Sequence, residues 1–101
     1  MATRLLTDLI RRKVGLDSKL GAVLKLDLGD EGVIVIDATE VPNRVSNEDR
    51  EAQCTMRMTK GDLEDMLHGK LDAMSAFGEG RLRLEGDMSV AMKLGDLVRG
   101  R

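Results

Sequence analysis

Residues 23–36 have the sequence VLKLDLGDEGVIVI, and this stretch is the starting point for understanding the fold. In its first half, three leucines alternate with Lys25 and Asp27, the period-two pattern of a strand with one buried face and one solvent-facing side. Residues 29–32 are rich in turn-forming types, and the β-branched run 33–36 is apolar on both faces. The stretch predicts a β-hairpin whose second strand lies inside a sheet.

Three further strands are predicted along the chain. Residues 52–58 and 81–85 alternate between apolar and polar side chains, as the first strand does. After the break at Pro42, residues 44–46 form only a short polar strand, which is typical of a sheet edge. Most of these strands have one polar face, so helices should cover the opposite face, which makes an α+β fold.

Four helices are predicted from apolar residues spaced three and four apart. The first helix spans residues 4–14, with Thr3 as N-cap and Gly15 as terminator. The second spans 59–69, with Thr59 as N-cap, Asp62 in capping-box position and Gly69 as terminator. The third spans 72–77, and the fourth begins at residue 88 after Asp87 as N-cap. The connection formed by residues 59–79 is long enough for a crossover, so the strands that it joins are candidates for a parallel pair.

Length, cysteine content and apolar runs predict the number of domains, the cellular compartment and the solubility of the chain. The 101 residues predict one domain spanning 1–101. A single cysteine forms no internal disulfide, which favours a reducing compartment and a cytoplasmic protein. Apolar runs stay well short of the roughly 18 residues that cross a membrane, so a soluble chain is expected.

The charge distribution argues against nucleic acid as a partner. The net charge is −2 and the sequence pI is about 5.4. Residues 1–13 carry four basic side chains against Asp8, whereas residues 27–51 carry eight acids against two arginines. Solvated surface explains both runs; alternatively, a basic helix at residues 4–13 makes a transient contact with an anionic membrane surface.

No catalytic residue, metal ligand set or cofactor is predicted. The chain has one cysteine and one histidine, and Cys54 lies on the predicted buried face of its strand. His68 with Glu64 and Asp65 on one helix supplies too few ligands for a zinc site. The glycines form no phosphate-binding loop, and each is expected to serve as a cap or a turn.

Methionine usage leaves two interpretations open. Six of the seven methionines fall within residues 56–92, and the chain contains one Phe, no Tyr and no Trp. Methionine fills irregular space in an ordinary core. Spacing alone favours that core; the missing aromatic rings favour instead a soft aliphatic wall around a cavity that takes a flexible ligand.

Four short motifs follow one another in the C-terminal half: LHGK at residues 67–70, AFGEGRL at 76–82, GDM at 86–88 and AMKL at 91–94. As an ordered set, they resemble the sterol carrier protein 2 family of lipid-binding domains. Upstream, the order of elements and the strand at residues 52–58 extend the likeness to nearly the whole chain.

The resemblance implies a five-stranded, mostly antiparallel sheet with one face covered by helices and an apolar cavity between them. Such cavities take fatty acids, acyl-CoA, sterols or phospholipids. Family members often have Gln where this chain has Glu79, and a carboxylate facing the ligand would disfavour an anionic head group. Carried over by position, the lipid-binding residues are Leu63, Met66, Leu67, Met74, Phe77, Leu82, Leu84, Met88, Ala91 and Met92.

These observations lead to a first hypothesis of non-catalytic binding, with transfer, of a hydrophobic ligand in the cavity. A second hypothesis is a protein-interaction or dimerisation module that uses the apolar C-terminal helix. A third is an accessory enzyme of acyl-lipid metabolism, which the single His and single Cys disfavour.

Overall fold

The computed structural model describes residues 3–98, which form four α-helices, five strands and one 3-10 turn. In chain order the elements are α1 (Thr3–Val14), β1 (Val23–Asp27), the 3-10 turn (Gly29–Glu31), β2 (Val33–Asp37), β3 (Arg44–Ser46), β4 (Cys54–Arg57), α2 (Lys60–Leu67), α3 (Ala73–Gly78), β5 (Arg83–Gly86) and α4 (Met88–Val98).

The five strands form one mixed sheet in the order β3-β2-β1-β4-β5. Strands β1 and β2 are the predicted antiparallel hairpin, and β2 lies inside the sheet as expected. The prediction that residues 59–79 join parallel strands is wrong, because β4 and β5 pair antiparallel. The parallel pair is β1 with β4. A long connection permits a crossover but does not require one, and here the chain through α2 and α3 returns beside β4 in the opposite direction.

One face of the sheet carries the core, and the alternation in the sequence predicts this face correctly. In the centre of the sheet, Leu26 lies between Ile34 on β2 and Met56 on β4, and Leu84 on β5 follows Met56. Leu26, Ile34 and Met56 are fully buried. Helix α1 contributes the side chain of Ile10 to this same core.

The opposite face is crossed by the segment that joins β3 to β4. Lys25 on β1 forms an ion pair with Asp49 at 2.6 Å, and Arg50 pairs with Asp37 on β2 at 2.9 Å. Val35, which lies beside Lys25 on this face, is buried as well. This crossing brings β4 next to β1 in parallel orientation.

The ends of α1 and α2 follow their local signals with one exception. The hydroxyl of Thr59 accepts a hydrogen bond from the backbone N–H of Asp62 at 3.1 Å, so the predicted N-cap of α2 is confirmed. Gly15 ends α1 in a left-handed conformation, also as expected. Thr3, by contrast, lies within α1, and its hydroxyl donates to the carbonyl of Glu31 at 3.1 Å instead of capping the helix.

Candidate functional site

An apolar groove lies where the inner face of the sheet meets α3 and α4. It has a volume of about 90 Å³. Strands β4 and β5, helix α3 and helix α4 each supply part of its wall: Met56, Leu82 and Leu84 on the sheet side, Ala73, Met74 and Phe77 from α3, and Met88, Ala91, Met92, Gly95 and Asp96 from α4.

Four large apolar side chains form the rim of this groove and leave it open to solvent. Met74, Phe77, Met88 and Met92 are 58%, 44%, 48% and 57% exposed. Met74 and Phe77 lie three residues apart on α3, and Met88 and Met92 lie four residues apart on the facing helix α4, so each pair shares one side of its helix. Because isolated exposed apolar residues are common but contiguous apolar surface is not, this rim is a candidate binding surface.

Helix α3 is bounded at both ends by hydrogen bonds to nearby residues of the chain. The carboxylate of Asp72 accepts from the N–H of Ser75 at 3.2 Å and caps the helix. The carbonyl of Ala76 accepts from the backbone N–H groups of Arg81 and Leu82, at 2.9 and 3.2 Å. The chain is thereby turned from α3 straight into β5, and Phe77 faces the groove.

The junction between β5 and α4 depends on Gly86. Its φ is +97°, and a Cβ at this position would overlap the backbone carbonyl of Gln53. The same carbonyl accepts from the N–H of Asp87 at 2.8 Å. The close approach of these two backbones fixes the point from which α4 starts.

Asp87 is the N-cap of α4, as predicted. Its carboxylate accepts from the backbone N–H and the hydroxyl of Ser89, at 2.9 and 2.6 Å. These hydrogen bonds, the hydroxyl contact foremost, lower the pKa of the Asp87 carboxyl below its ordinary value. Met88, the first residue of α4, is thereby placed at the rim.

Seven of the ten residues predicted to contact a lipid line the groove: Met74, Phe77, Leu82, Leu84, Met88, Ala91 and Met92. The other three, Leu63, Met66 and Leu67 on α2, lie in the buried core and do not line it. The apolar stripe of α2 is buried and α2 contacts α1, whereas α3 and α4 leave their apolar side chains partly uncovered.

Four groove residues were not among those predicted: Met56, Ala73, Gly95 and Asp96. Met56 had a usable signal, since the alternation of β4 places it on the inner face. Ala73 and Gly95 carried no such signal, because small residues mark a close helix approach only once it is known which helices meet.

Cys54 and His68 have no role in the groove. Cys54 is buried on β4, and burial raises the pKa of its thiol, which keeps it protonated. His68 is exposed at the C-terminal end of α2. Within residues 3–98, no three His, Cys, Asp or Glu side chains are grouped so as to hold a metal ion.

Comparison with known proteins points to the same family as the four C-terminal motifs. The sequence model of the SCP-2 sterol transfer family matches residues 7–99. The chain belongs to this family. It is 34% identical over 85 residues to "Sterol carrier protein 2" of Gallus gallus, covering 78% of this chain but 16% of the relative. It is also 34% identical over 92 residues to "Peroxisomal multifunctional enzyme A" of Dictyostelium discoideum, covering 91% of this chain and 18% of the relative.

The fold of this SCP-2 domain matches solved structures as well. The sterol carrier protein domain 2 of Helicoverpa armigera has a TM-score of 0.71 at 26% identity, covering 97% of this chain and 87% of that one. The expected α+β fold is confirmed, and the chain belongs to a family of lipid-binding and transfer domains. It spans about a sixth of the length of the curated relatives described above.

The acidic residues near the groove of this SCP-2 domain differ in whether they line it. Glu79 does not line the groove; it pairs with Arg81 at 3.4 Å, and Arg81 also reaches Asp62 on α2 at 2.6 Å. Asp96, by contrast, lines both the groove and a neighbouring shallow hollow. That hollow is formed by Asp96 together with Ser18, Lys19, Lys93 and Leu97.

Helix α1 carries the basic surface predicted near the N-terminus. Arg4, Leu5 and Arg12 are exposed. Arg11 is engaged, since its guanidinium donates to Asp8 at 2.7 Å and to the carbonyl of Val45 at 2.9 Å. None of the helices within residues 3–98 has the length and apolar character needed to cross a membrane.

Proposed function

We propose that this chain binds a long-chain lipid reversibly in the groove and releases it chemically unchanged. The hydrocarbon chain lies between α3 and α4, against Met56 and Leu84 of the sheet. The observation that carries the proposal is the rim of four exposed apolar side chains around the apolar groove. Membership in the SCP-2 sterol transfer family supports the same assignment.

Burial of hydrocarbon supplies enough free energy for such binding. Each methylene removed from water contributes about 0.8 kcal/mol, so roughly ten offset the 8 kcal/mol of a micromolar complex before ordering costs. A sixteen-carbon chain is therefore ample. Since apolar walls distinguish one methylene only weakly, selectivity among chain lengths should be low.

Binding a whole acyl chain requires the groove to widen. Its volume of about 90 Å³ is far below the roughly 300–1,000 Å³ of clefts that bury drug-sized ligands. Helix α3 has only six residues, and the rim methionines can change rotamer. We expect α3 to move away from α4 when a lipid enters. Contact between the ligand and Leu63, Met66 or Leu67 stays a prediction for this widened groove.

The hollow beyond Asp96 is our proposed position for the polar head group. Its wall carries Lys19 and Lys93 against the one carboxylate of Asp96, and this excess of positive charge favours an anionic group such as a carboxylate or a phosphate. Glu79 lies away from the groove and is paired with Arg81, so it does not oppose such a ligand.

Native mass spectrometry of protein purified without detergent tests the binding proposal. Spectra are recorded before and after adding a mixture of fatty acid, acyl-CoA, sterol and phospholipid. A discrete mass increment that survives gentle activation identifies the ligand class. Bare protein under every condition contradicts the proposal; a mass in light scattering that rises with concentration would then favour the dimerisation module.

The basic surface of α1 is our proposed site of transient membrane contact during transfer. Arg4 and Arg12 supply positive charge, and Leu5 supplies an exposed apolar side chain. Vesicle co-sedimentation should be stronger with anionic than with neutral phospholipid, and Arg4→Glu with Arg12→Glu should abolish the difference. Equal sedimentation of wild type on both vesicles contradicts this contact. The cytoplasmic location and the exclusion of nucleic acid stay predictions.

A further inference from the structure

The methionines of this chain fall into two groups that the sequence does not distinguish. Met56, Met58 and Met66 are buried, with exposed fractions of 8% or less. Met74, Met88 and Met92 are about half exposed. All three exposed methionines line the groove. Met1 lies outside the described residues.

We propose that Met74, Met88 and Met92 form a modification site, at which oxidation to methionine sulfoxide closes the groove to apolar ligands. The part of this inference that concerns ligands rests on the proposed function. The oxidant is a hydroperoxide, either hydrogen peroxide or an organic peroxide.

The chemistry balances without a cofactor. The thioether sulfur attacks the terminal OH oxygen of the hydroperoxide, an S–O bond forms as the O–O bond breaks, and the proton of the transferred oxygen passes to the departing oxygen. Sulfur loses two electrons, and the peroxide is reduced to water or to an alcohol. An exposed thioether is open to this attack, whereas a buried one is not.

The surroundings of the three sulfur atoms explain why oxidation would matter. The sulfoxide oxygen is a polar acceptor, and it needs a hydrogen-bond donor or water. The side chains that face the groove beside the methionines, among them Phe77, Leu82, Leu84 and Ala91, are hydrocarbon and offer no donor. A sulfoxide at the rim must therefore stay hydrated, and a bound acyl chain would remove that water.

The cysteine near the groove does not compete for the oxidant. Cys54 sits on β4 beneath α4, is 1% exposed and has a thiol whose pKa is raised by burial. Since the thiolate is the reactive form, this cysteine should be slow to oxidise. The exposed thioethers are thus the first sulfur atoms of residues 3–98 that a peroxide meets.

Binding and oxidation should oppose one another. A lipid that covers the rim shields the thioethers, and a rim carrying sulfoxide binds the lipid less tightly. Both effects have the same physical origin, because the bound acyl chain and the water that a sulfoxide needs would occupy the same space beside the three sulfur atoms.

The oxidation order tests the modification site on lipid-free protein. Limited hydrogen peroxide followed by peptide mapping should show Met74, Met88 and Met92 oxidised at least about tenfold faster than Met56, Met58 and Met66. Equal rates for the two groups overturn the inference, whether or not the protein binds lipid.

The effect on binding is tested with leucine variants, which keep side-chain volume and cannot form a sulfoxide. Peroxide treatment should weaken fatty-acid binding about tenfold or more in wild type. It should leave the triple variant Met74→Leu, Met88→Leu, Met92→Leu unchanged. The control Met58→Leu should stay peroxide-sensitive, and methionine sulfoxide reductases should restore wild-type binding.

Two outcomes separate this inference from the proposed function. If the protein binds lipid and oxidation of the three rim methionines leaves its lipid affinity unchanged, the inference that the sulfoxides close the groove to apolar ligands is overturned. A reduced protein that binds no lipid overturns the proposed function and this closing of the groove together, while the oxidation order still decides whether the rim is the modification site.

Discussion

Gly95 in α4 faces Ala73 in α3 so closely that a Cβ placed on the glycine would lie 3.4 Å from the alanine Cβ. This distance is ordinary van der Waals contact, so one methyl group fits, and a longer side chain would have to extend into the groove or push the two helices apart. The pair lies at the end of the groove near Asp96. The size of residue 95 therefore controls how closely the two helices that form the groove approach one another.

Substitutions at Gly95 should separate the effect of volume from the effect of helix stability. Gly95→Ala should raise the free energy of unfolding by up to about 1 kcal/mol, because alanine favours the helix interior, and should leave lipid affinity within about twofold. Gly95→Leu should fill the groove and weaken binding by more than about tenfold. Urea unfolding and fluorescent fatty-acid displacement measure the two quantities. Equal affinities for the two variants would show that lipid does not occupy this end of the groove.

A charge at the rim should abolish binding without unfolding α4. In Met92→Glu, a carboxylate would have to be desolvated by the acyl chain, so we expect fatty-ligand affinity to fall below detection while helix content by circular dichroism persists. Leu5→Glu is the matched control, since Leu5 is an exposed apolar residue of a helix that does not line the groove. Unchanged affinity in Met92→Glu would place the ligand elsewhere.

Reversal of charge at Lys93 should reveal where the head group lies. Lys93→Glu is expected to weaken binding of a long-chain fatty acid about fivefold to tenfold and to leave its uncharged methyl ester unaffected. Lys70→Glu, an exposed lysine outside the groove and the hollow, serves as the control. Equal losses for acid and ester would mean that Lys93 acts through the structure of α4 and not through the head group.

Gly86 should be the least replaceable glycine near the groove. Gly86→Ala adds a Cβ that overlaps the Gln53 carbonyl at a φ of +97°, so the free energy of unfolding should fall by about 2–4 kcal/mol. Gly80→Ala has the same left-handed strain, with φ +77°, but no atom within 4 Å, and should lose only about 1 kcal/mol. Chemical denaturation of both variants measures the difference. Similar losses of unfolding free energy would show that the overlap with Gln53 does not contribute to the effect of Gly86→Ala.

The cap at Asp87 should make the stability of the protein depend on pH in the acid range. The pKa of this carboxyl is lowered in the folded protein, so its contribution is present above the unfolded value of about 3.9 and is lost as the pH falls through the folded value. Asp87→Asn keeps an acceptor for the N–H of Ser89 but does not titrate. The unfolding free energy of wild type should therefore fall more steeply than that of Asp87→Asn below pH 4. Parallel pH profiles for the two proteins would contradict this assignment.

Local features of this chain could be predicted from its sequence because short-range physics decides them. The alternation around Leu24 and Leu26 specifies which face of β1 is buried, since successive side chains of a strand point to opposite sides. The caps at Thr59 and Asp87 follow from the need of the first helical N–H groups for an acceptor. Thr3 is the exception, because a tertiary partner, the carbonyl of Glu31, takes its hydroxyl.

By itself, then, the sequence determined the strands with their buried faces, most helix boundaries, and the motifs that place the chain among SCP-2 domains. Only the tertiary structure decided that β1 pairs in parallel with β4, since this depends on the path of residues 47–53 across the outer face. It also separated the apolar stripe of α2, which is buried, from those of α3 and α4, which border an open groove. The stripes look alike in sequence because apolar spacing shows that a helix has a face to bury, whereas the elements packed around it decide how much of that face is covered.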